Sequence, residues 1–304
     1  MAASEVDRAR AWFAVQAAAG VAWWVGVAVW PALRDATLGG LPAAALAGPD
    51  LVLFSGASAA AATGRRWAGW VALAWTAVVT VGLWAHALVT GEAGWGALAM
   101  GAALVLTTAA ATTLGLGALP RRWFTVGPFS FRPAPARSPR SNLVRSLAQL
   151  VVFWTAFFLG LPVVLATVED RFGLELAALD RRGAQVVGAA LLVAFSGLGL
   201  WSCLAMSLRG AGTPLPSSTA RRLVVVGPYR HVRNPMAVAG VAQSIGVGLL
   251  FGSWLVVVCA LAGAVVWDQV IRPEEERDLA ARFGDDFARY RDAVDCWVPR
   301  LSAW

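Results

Sequence analysis

The chain has 304 residues, of which 58 % are hydrophobic and only 14 % are charged. A soluble domain carries about a quarter charged residues, so this composition excludes a water-soluble enzyme, a disordered chain and a secreted disulfide scaffold. All 25 basic residues are arginines, and with 18 acids they give a net charge of +7. Because these arginines lie in short loops between apolar runs, we interpret them as membrane-flanking charges and expect no nucleic-acid partner.

Apolar runs of about twenty residues, the length that crosses a bilayer, recur along the chain. They predict an all-α, polytopic membrane helical bundle of about 8 transmembrane helices plus a C-terminal amphipathic helix. Pro49 and Asp50 predict a break or a late start in the second span, and Gly252 with Ser253 predicts a tight hairpin between the last two. The predicted spans lie near 11–30, 43–63, 67–89, 95–118, 147–167 and 184–206, with two more in 235–271.

The segment 119–146 is predicted to be a linker, because it is rich in proline and carries six arginines and no acid. It divides the chain into a four-span unit of unknown role, 1–118, and a C-terminal membrane domain, 147–304. The loop 207–233 also carries arginines without acids, whereas 169–182 holds four acids against three arginines. The positive-inside rule then predicts a multi-pass protein of a bacterial plasma membrane with both termini in the cytosol.

Ionisable residues concentrate at the predicted cytosolic edge of the last two spans. Segment 227–236, GPYRHVRNPM, forms a rigid turn that leads into the seventh span, with Pro235 at a favoured first helical position. Arg230 and Arg233 beside that helix start predict an anion site; the alternative is an ordinary positive membrane flank. After the eighth span, the three carboxylates of 274–276 repel one another, which predicts a cationic partner, either an arginine or a ligand ammonium.

The C-terminal region predicts an amphipathic helix whose apolar residues recur every three to four positions. These residues are Leu279, Phe283, Phe287 and Tyr290. Such a helix either lies on the membrane surface or covers a site between the last two spans. The following apolar piece around Trp297 is expected to pack back against the bundle.

Three further polar residues leave two interpretations open. His231 is either a general base for the acceptor or an interfacial residue that faces headgroups. Asp268 is expected to pair with Arg272, one helical turn later, or to belong to the site. Gln243 either bonds between helices or lines a cavity. His86, the ionisable residue noted in the first unit, is expected at an interface, and the three cysteines have no metal-ligand spacing.

The motif at 227–236, the helical hairpin and the pattern EExxLxxxFGxxFxxY at 275–290 together resemble the isoprenylcysteine carboxyl methyltransferase family and the wider membrane phospholipid methyltransferases. The resemblance covers about 184–301. It implies S-adenosyl-L-methionine as methyl donor, bound at the cytosolic edge, and a lipophilic small molecule or lipid as acceptor that arrives from the bilayer. It places Arg233, Asn234 and Pro235 on the family's Arg-His-Pro and Glu275 and Glu276 on its glutamate pair.

The site residues follow from this resemblance together with the charges. Cofactor binding is assigned to Tyr229, Arg230, Arg233, Asn234, Pro235, Glu275 and Glu276, and the catalytic roles to His231 and Arg233. An arginine with helix N–H groups suits the carboxylate of the donor, and a glutamate suits its ammonium.

Two alternatives remain at this stage. Membrane reductases that use NADPH have a similar C-terminal architecture, and Arg221, Arg222 and Arg230 are available for a dinucleotide phosphate, although the glutamate pair would repel it. A non-enzymatic membrane relative is the second alternative. It is supported by Asn234, Ala237 and Ala239, which stand where many family members have His, Tyr and Gly.

Overall fold

A computed structural model describes residues 4–121, 130–176 and 182–302, and in these ranges it is built from helices with no named strand. Residues 122–129 of the predicted linker and 177–181 of the predicted external loop lie outside the described ranges. The α-helices are α1 (Glu5–Val29), α2 (Pro31–Leu38), α3 (Ala43–Asp50), α4 (Ala57–Ala62), α5 (Arg66–Thr90), α6 (Gly94–Leu116), α7 (Pro139–Trp154), α8 (Leu161–Arg171), α9 (Arg182–Arg209), α10 (Pro235–Phe251), α11 (Trp254–Val266) and α12 (Arg272–Ala293).

Three π-helical segments join consecutive α-helices into longer rods, the last of which is kinked within α12 at Gly284 (φ +49°). They are Leu51–Gly56 between α3 and α4, Thr155–Gly160 between α7 and α8, and Trp267–Ile271 between α11 and α12. In the described part of the chain, seven helices, three of which are these rods, are long and apolar enough to cross a membrane. An eighth apolar helix, α10, is shorter at 17 residues. The expected all-α membrane bundle is therefore confirmed.

The predicted break at Pro49 and Asp50 is wrong, because the helix continues from Ala43 to Ala62. Proline removes one N–H from the helical ladder, and the π-helical register that begins at Leu51 accommodates this local defect. Asp50 is buried, and its two oxygens are satisfied there because the indole N–H groups of Trp24 and Trp75 donate to them, each at 2.8 Å. This carboxylate is thus a bonded part of the interior and does not end the helix.

Other helix boundaries follow local capping chemistry. Ser4 and Asp7 form a reciprocal capping box at the start of α1, and Ser138 caps α7 ahead of Pro139. The fifth span therefore begins at Pro139, earlier than the predicted 147. The hairpin predicted at Gly252 and Ser253 is confirmed: Gly252 has φ +67° and ends α10, and the Ser253 side chain caps α11.

The chain packs as two compact units. The first extends to Pro120 and includes Val168–Leu174, and the second consists of Arg121–Thr167 and the chain from Glu175 onward. In the first unit, the fully buried Phe13 packs among small residues of α4, α5 and α6, which lets these helices approach closely. A second buried polar group there, Gln16, bonds to Ser58 and Thr107 at 3.0 and 2.6 Å.

The second unit is organised around the close approach of α9 and α10. A Cβ on Gly188 would lie 2.6 Å from the carbonyl oxygen of Gly246, and a Cβ on Gly246 would lie 2.8 Å from that of Gly188. Only glycine fits at both positions without a shift of the backbone. α7 packs on α9, and the turn Gly227–Arg230 packs on α9 as well. α9 therefore contacts both α7 and the 227–236 motif.

Candidate active site

Arg233 and Glu276 converge although 43 residues separate them in the chain. The guanidinium Nη1 donates to the carboxylate Oε1 at 2.8 Å, and the side chains are only 14 % and 27 % exposed. Arg233 is held just before α10, because its backbone N–H donates to the carbonyl of Asp295 at 2.9 Å. The structure therefore brings the arginine of the 227–236 motif to the glutamate pair at the start of α12.

Glu275 lies beside this pair, past the apolar part of the rod that ends at Ile271. Burial, followed by the charges of Glu276 and Asp278, raises the pKa of Glu275 to about 7, while Arg233 opposes that rise. A bound cation next to this carboxyl would favour its charged form and lower the pKa again. We therefore expect the protonation of Glu275 to change near neutral pH if a cation binds beside it.

The site contains polar atoms whose bonding capacity is unused. The Tyr229 hydroxyl is buried and has no hydrogen-bond partner, and neither has Nε of Arg233. Burial, then the charge of Glu275, raises the pKa of Tyr229 well above its ordinary value, so its hydroxyl stays protonated. Buried polar atoms are normally bonded, since an unsatisfied one costs about 1–3 kcal/mol. These atoms are therefore available to a ligand.

The motif's helix start is organised by Asn234 and Pro235. The Asn234 side chain accepts from the N–H of Ala237 at 2.9 Å, which makes it the N-cap of α10, and Pro235 takes the first helical position as predicted. The side-chain oxygen Oδ1 of Asn234 is thus already used in a hydrogen bond that caps the helix. Arg230 lies exposed at the end of the turn that precedes it.

His231 is tied to the C-terminal segment. Its Nδ1 lies 3.1 Å from the carbonyl of Arg300, and its own carbonyl accepts from the Arg300 N–H at 2.9 Å. With Nδ1 donating to a carbonyl, Nε2 is the basic nitrogen of the ring. The contact fixes the orientation of the ring, and the catalytic role of His231 remains a prediction.

The neighbouring charges confirm one predicted pair and add another. Asp268 pairs with Arg272 at 3.2 Å, as expected from their spacing, and also accepts from the Trp297 indole at 2.7 Å. Glu274, the first of the three carboxylates, pairs with Arg277. The apolar piece at Trp297 therefore does pack back against the rod, on Trp267.

The amphipathic helix is placed by packing on the protein. Phe287, Tyr290 and the following Val294 are buried against Leu223 and Val225. The Tyr290 hydroxyl donates to the carbonyl of Tyr229 at 2.6 Å. The helical spacing indicated this apolar face correctly, but only the structure shows that it covers the 223–229 segment and fixes Tyr229.

One functional candidate was missed by the sequence reasoning. Asn142 on α7 is buried, and neither its carboxamide oxygen nor its nitrogen has a hydrogen-bond partner. The available signal was the spacing of Asn142, Ser146 and Gln149, which places three polar residues on one face of an otherwise apolar helix.

Residues 184–286 match the model of the phospholipid methyltransferase family. This match confirms the resemblance in the C-terminal part of the chain and points to a membrane methyltransferase. It contains both Arg233 and Glu276 and excludes α7. The cobalt-zinc-cadmium resistance protein CzcN of Cupriavidus metallidurans is 36 % identical over 106 residues, which is 34 % of this chain and 44 % of that protein. No solved structure matches the chain significantly.

Proposed function

We propose that the protein is an integral membrane methyltransferase that uses S-adenosyl-L-methionine to methylate a lipophilic or membrane-embedded acceptor. The observation that carries this proposal is the contact of Arg233 with Glu276, with Glu275 beside it, inside the segment that matches the family. A guanidinium and two carboxylates form a donor set that fits the zwitterionic amino-acid end of the methyl donor.

The charges favour this ligand over a dinucleotide. Arg233 offers its unpartnered Nε to the ligand carboxylate, and Glu275 offers an acceptor to the ligand ammonium. The Tyr229 hydroxyl supplies one further hydrogen bond from a buried position. A polyphosphate brought to the same place would face two carboxylates, whose repulsion is strong where water is partly excluded.

The chain's residues would act mainly by positioning. When bound, S-adenosyl-L-methionine supplies a methyl group that passes to the acceptor's lone pair as its bond to sulfur breaks, leaving a neutral thioether. Holding the two reactants in line can supply about 7–11 kcal/mol of barrier reduction. His231, with Nε2 as its basic nitrogen, is proposed to take the acceptor's proton where the acceptor carries one.

Ligand-dependent stability tests the proposal in the full chain. In lipid nanodiscs, S-adenosylhomocysteine is expected to raise the unfolding midpoint, since a hundredfold excess over Kd adds about 2.7 kcal/mol to the unfolding free energy. NADPH is expected to leave the midpoint unchanged. Transfer of labelled methyl from the donor into an organic extract of host membranes then tests turnover. Stabilisation by NADPH alone would replace this proposal with the reductase.

A further inference from the structure

The buried carboxamide of Asn142 is an open hydrogen-bonding site in the second unit. The residue is 1 % exposed, and both Nδ2 and Oδ1 lack a partner. Each unsatisfied buried group costs about 1–3 kcal/mol, and a leucine of similar size would avoid that cost. The position therefore keeps a donor and an acceptor side by side where the fold itself does not use them.

The other buried carboxamides show what a structural role looks like. In the described residues, Gln16 and Gln243 are the remaining buried side chains of this type. Gln243 donates to the carbonyl of Ala239 and accepts from Ser196, both at 3.1 Å, and Gln16 is bonded at both ends too. Asn142 is thus the exception among three chemically matched groups.

The helix α7, which carries Asn142, packs on α9, and α9 also packs on the Gly227–Arg230 turn of the candidate active site. Ser146, one turn after Asn142 on the same face of α7, accepts from Ser207 of α9 at 2.7 Å, and both serines are fully buried. Ala205, two residues before Ser207, belongs to the same buried cluster as Tyr229. The opposite face of α7 is apolar and exposed, as expected where a helix contacts lipid.

We infer that Asn142 recognises the polar end of the lipophilic methyl acceptor, an inference that rests on the proposed function. The group it selects is uncharged and presents an acceptor and a donor side by side, as a carboxamide does. The donor-binding charges lie within residues 184–286, which match the family, whereas α7 lies outside them. A neutral group on a lipid-facing helix suits a molecule that enters from the bilayer.

A single-chain amphiphile provides the probe. With full-length protein in phosphatidylcholine nanodiscs and empty nanodiscs as the partition control, dodecanamide is expected to bind at least about tenfold more tightly than N,N-dimethyldodecanamide, which lacks the donor. Dodecyltrimethylammonium is expected to show no specific binding. Equal binding of the two amides, or binding of neither, overturns the inference without any variant having to fold.

Two leucine variants separate recognition from packing. Asn142→Leu is expected to lower dodecanamide binding about tenfold while leaving the unfolding midpoint unchanged or higher, because an unsatisfied amide is removed. Gln243→Leu, the matched control, is expected to lower the midpoint and to leave dodecanamide binding unchanged. A destabilised Asn142→Leu protein with normal dodecanamide binding would show that Asn142 has a structural role and would overturn the inference.

S-adenosylhomocysteine binding, measured on the same samples, distinguishes the two proposals. Normal binding of that ligand with no selectivity for dodecanamide removes the Asn142 inference and leaves the methyltransferase proposal standing. If the wild-type protein does not bind S-adenosylhomocysteine, the methyltransferase proposal is overturned instead. The proposed role of Asn142 in binding the methyl acceptor is then overturned with it.

Discussion

Each unit holds a carboxylate that is at least partly shielded from solvent, Asp50 buried and Glu275 half-buried, but the surroundings of the two differ. Asp50 in the first unit accepts one indole N–H on each oxygen, so its bonding is complete within the fold. Glu275 in the second unit lies beside Glu276 and Arg233, with a pKa raised to about 7. A closed network of this kind stabilises helix packing, whereas an open one holds capacity for a ligand. The comparison supports the proposal that the second unit holds the reaction site, and it predicts a scaffold role for the first.

The first unit also has open polar atoms, but they are arranged differently. The Ser55 hydroxyl and Nε2 of His86 lack hydrogen-bond partners and lie on separate helices. His86 Nε2 is 3.8 Å from Glu92. Glu92 lines an open pocket of about 630 Å³ together with residues of the α2–α3 and α5–α6 connections and with Phe172 and Gly173 after α8. In the second unit, by contrast, the unpartnered atoms of Tyr229 and Arg233 lie within the single motif 227–236.

The largest effect is expected for Arg233→Ala. In the proposed complex, Arg233 pairs with the carboxylate of the ligand. Removing one partner of a partly buried charge pair costs about 2–5 kcal/mol, because the other charge is left uncompensated. S-adenosylhomocysteine binding, measured by calorimetry in nanodiscs, should therefore weaken by about 100-fold or more. The control is Arg289→Ala, whose pair with Asp286 is exposed at both side chains and whose loss should change binding less than about twofold. Equal losses in both variants would contradict the special role of Arg233.

Asp50→Ala should chiefly affect stability. It leaves two indole N–H groups without their acceptor, at about 1–3 kcal/mol each, so the unfolding free energy should fall by about 2 kcal/mol or more. Asp50→Asn keeps one acceptor and should lose about half as much. Thermal unfolding in detergent measures both changes. A folded Asp50→Ala protein that no longer binds S-adenosylhomocysteine would contradict the scaffold role of the first unit.

Glu275 should make ligand binding depend on pH. Its ionised fraction rises about tenfold between pH 6 and pH 8 for a pKa of about 7, and S-adenosylhomocysteine affinity should rise with it. Glu275→Gln should remove this dependence. A wild-type affinity that stays constant over this range would show that the ligand ammonium does not contact Glu275.

In the ligand-free protein, the stability of the fold should fall as the pH rises, whereas ligand affinity should increase. The folded-state pKa of Glu275 lies above its ordinary value of 4.5, so ionisation destabilises the fold, and the penalty grows from about pH 4.5 until it is complete above pH 7. Glu275→Gln should therefore raise the unfolding midpoint at pH 8 and change it little at pH 4.5. A midpoint gain of equal size at both pH values would assign the stabilisation to packing.

The smallest effect is expected for Tyr229→Phe. This change removes a hydroxyl that has no partner in the protein, so stability should stay constant or rise slightly, while S-adenosylhomocysteine binding should weaken about threefold. Tyr290→Phe is the matched control, since it removes a bonded hydroxyl and should lower stability by about 1 kcal/mol. If Tyr229→Phe destabilises the protein as strongly, its hydroxyl serves the fold.

Local patterns predicted the features that depend on neighbouring residues. The spans, the hairpin at Gly252, the first helical position of Pro235 and the pair of Asp268 with Arg272 all follow from hydropathy, turn chemistry or helical spacing. The break in the second span was predicted wrongly because the π-helical register and the indole partners of Asp50 involve groups that no local pattern connects. Trp24 and Trp75 lie 26 and 25 residues from Asp50.

The sequence by itself determined that this is a helical membrane protein whose ionisable groups gather around the last two spans. Composition and periodicity suffice for that, since a bilayer admits few other structures for such apolar runs. Only the tertiary structure decided that Arg233 pairs with Glu276, that α12 covers Tyr229, and that Asn142 is left without partners. Each of these depends on which side chains meet across separate helices, and hydrogen bonds are satisfied or left open only when that packing is complete.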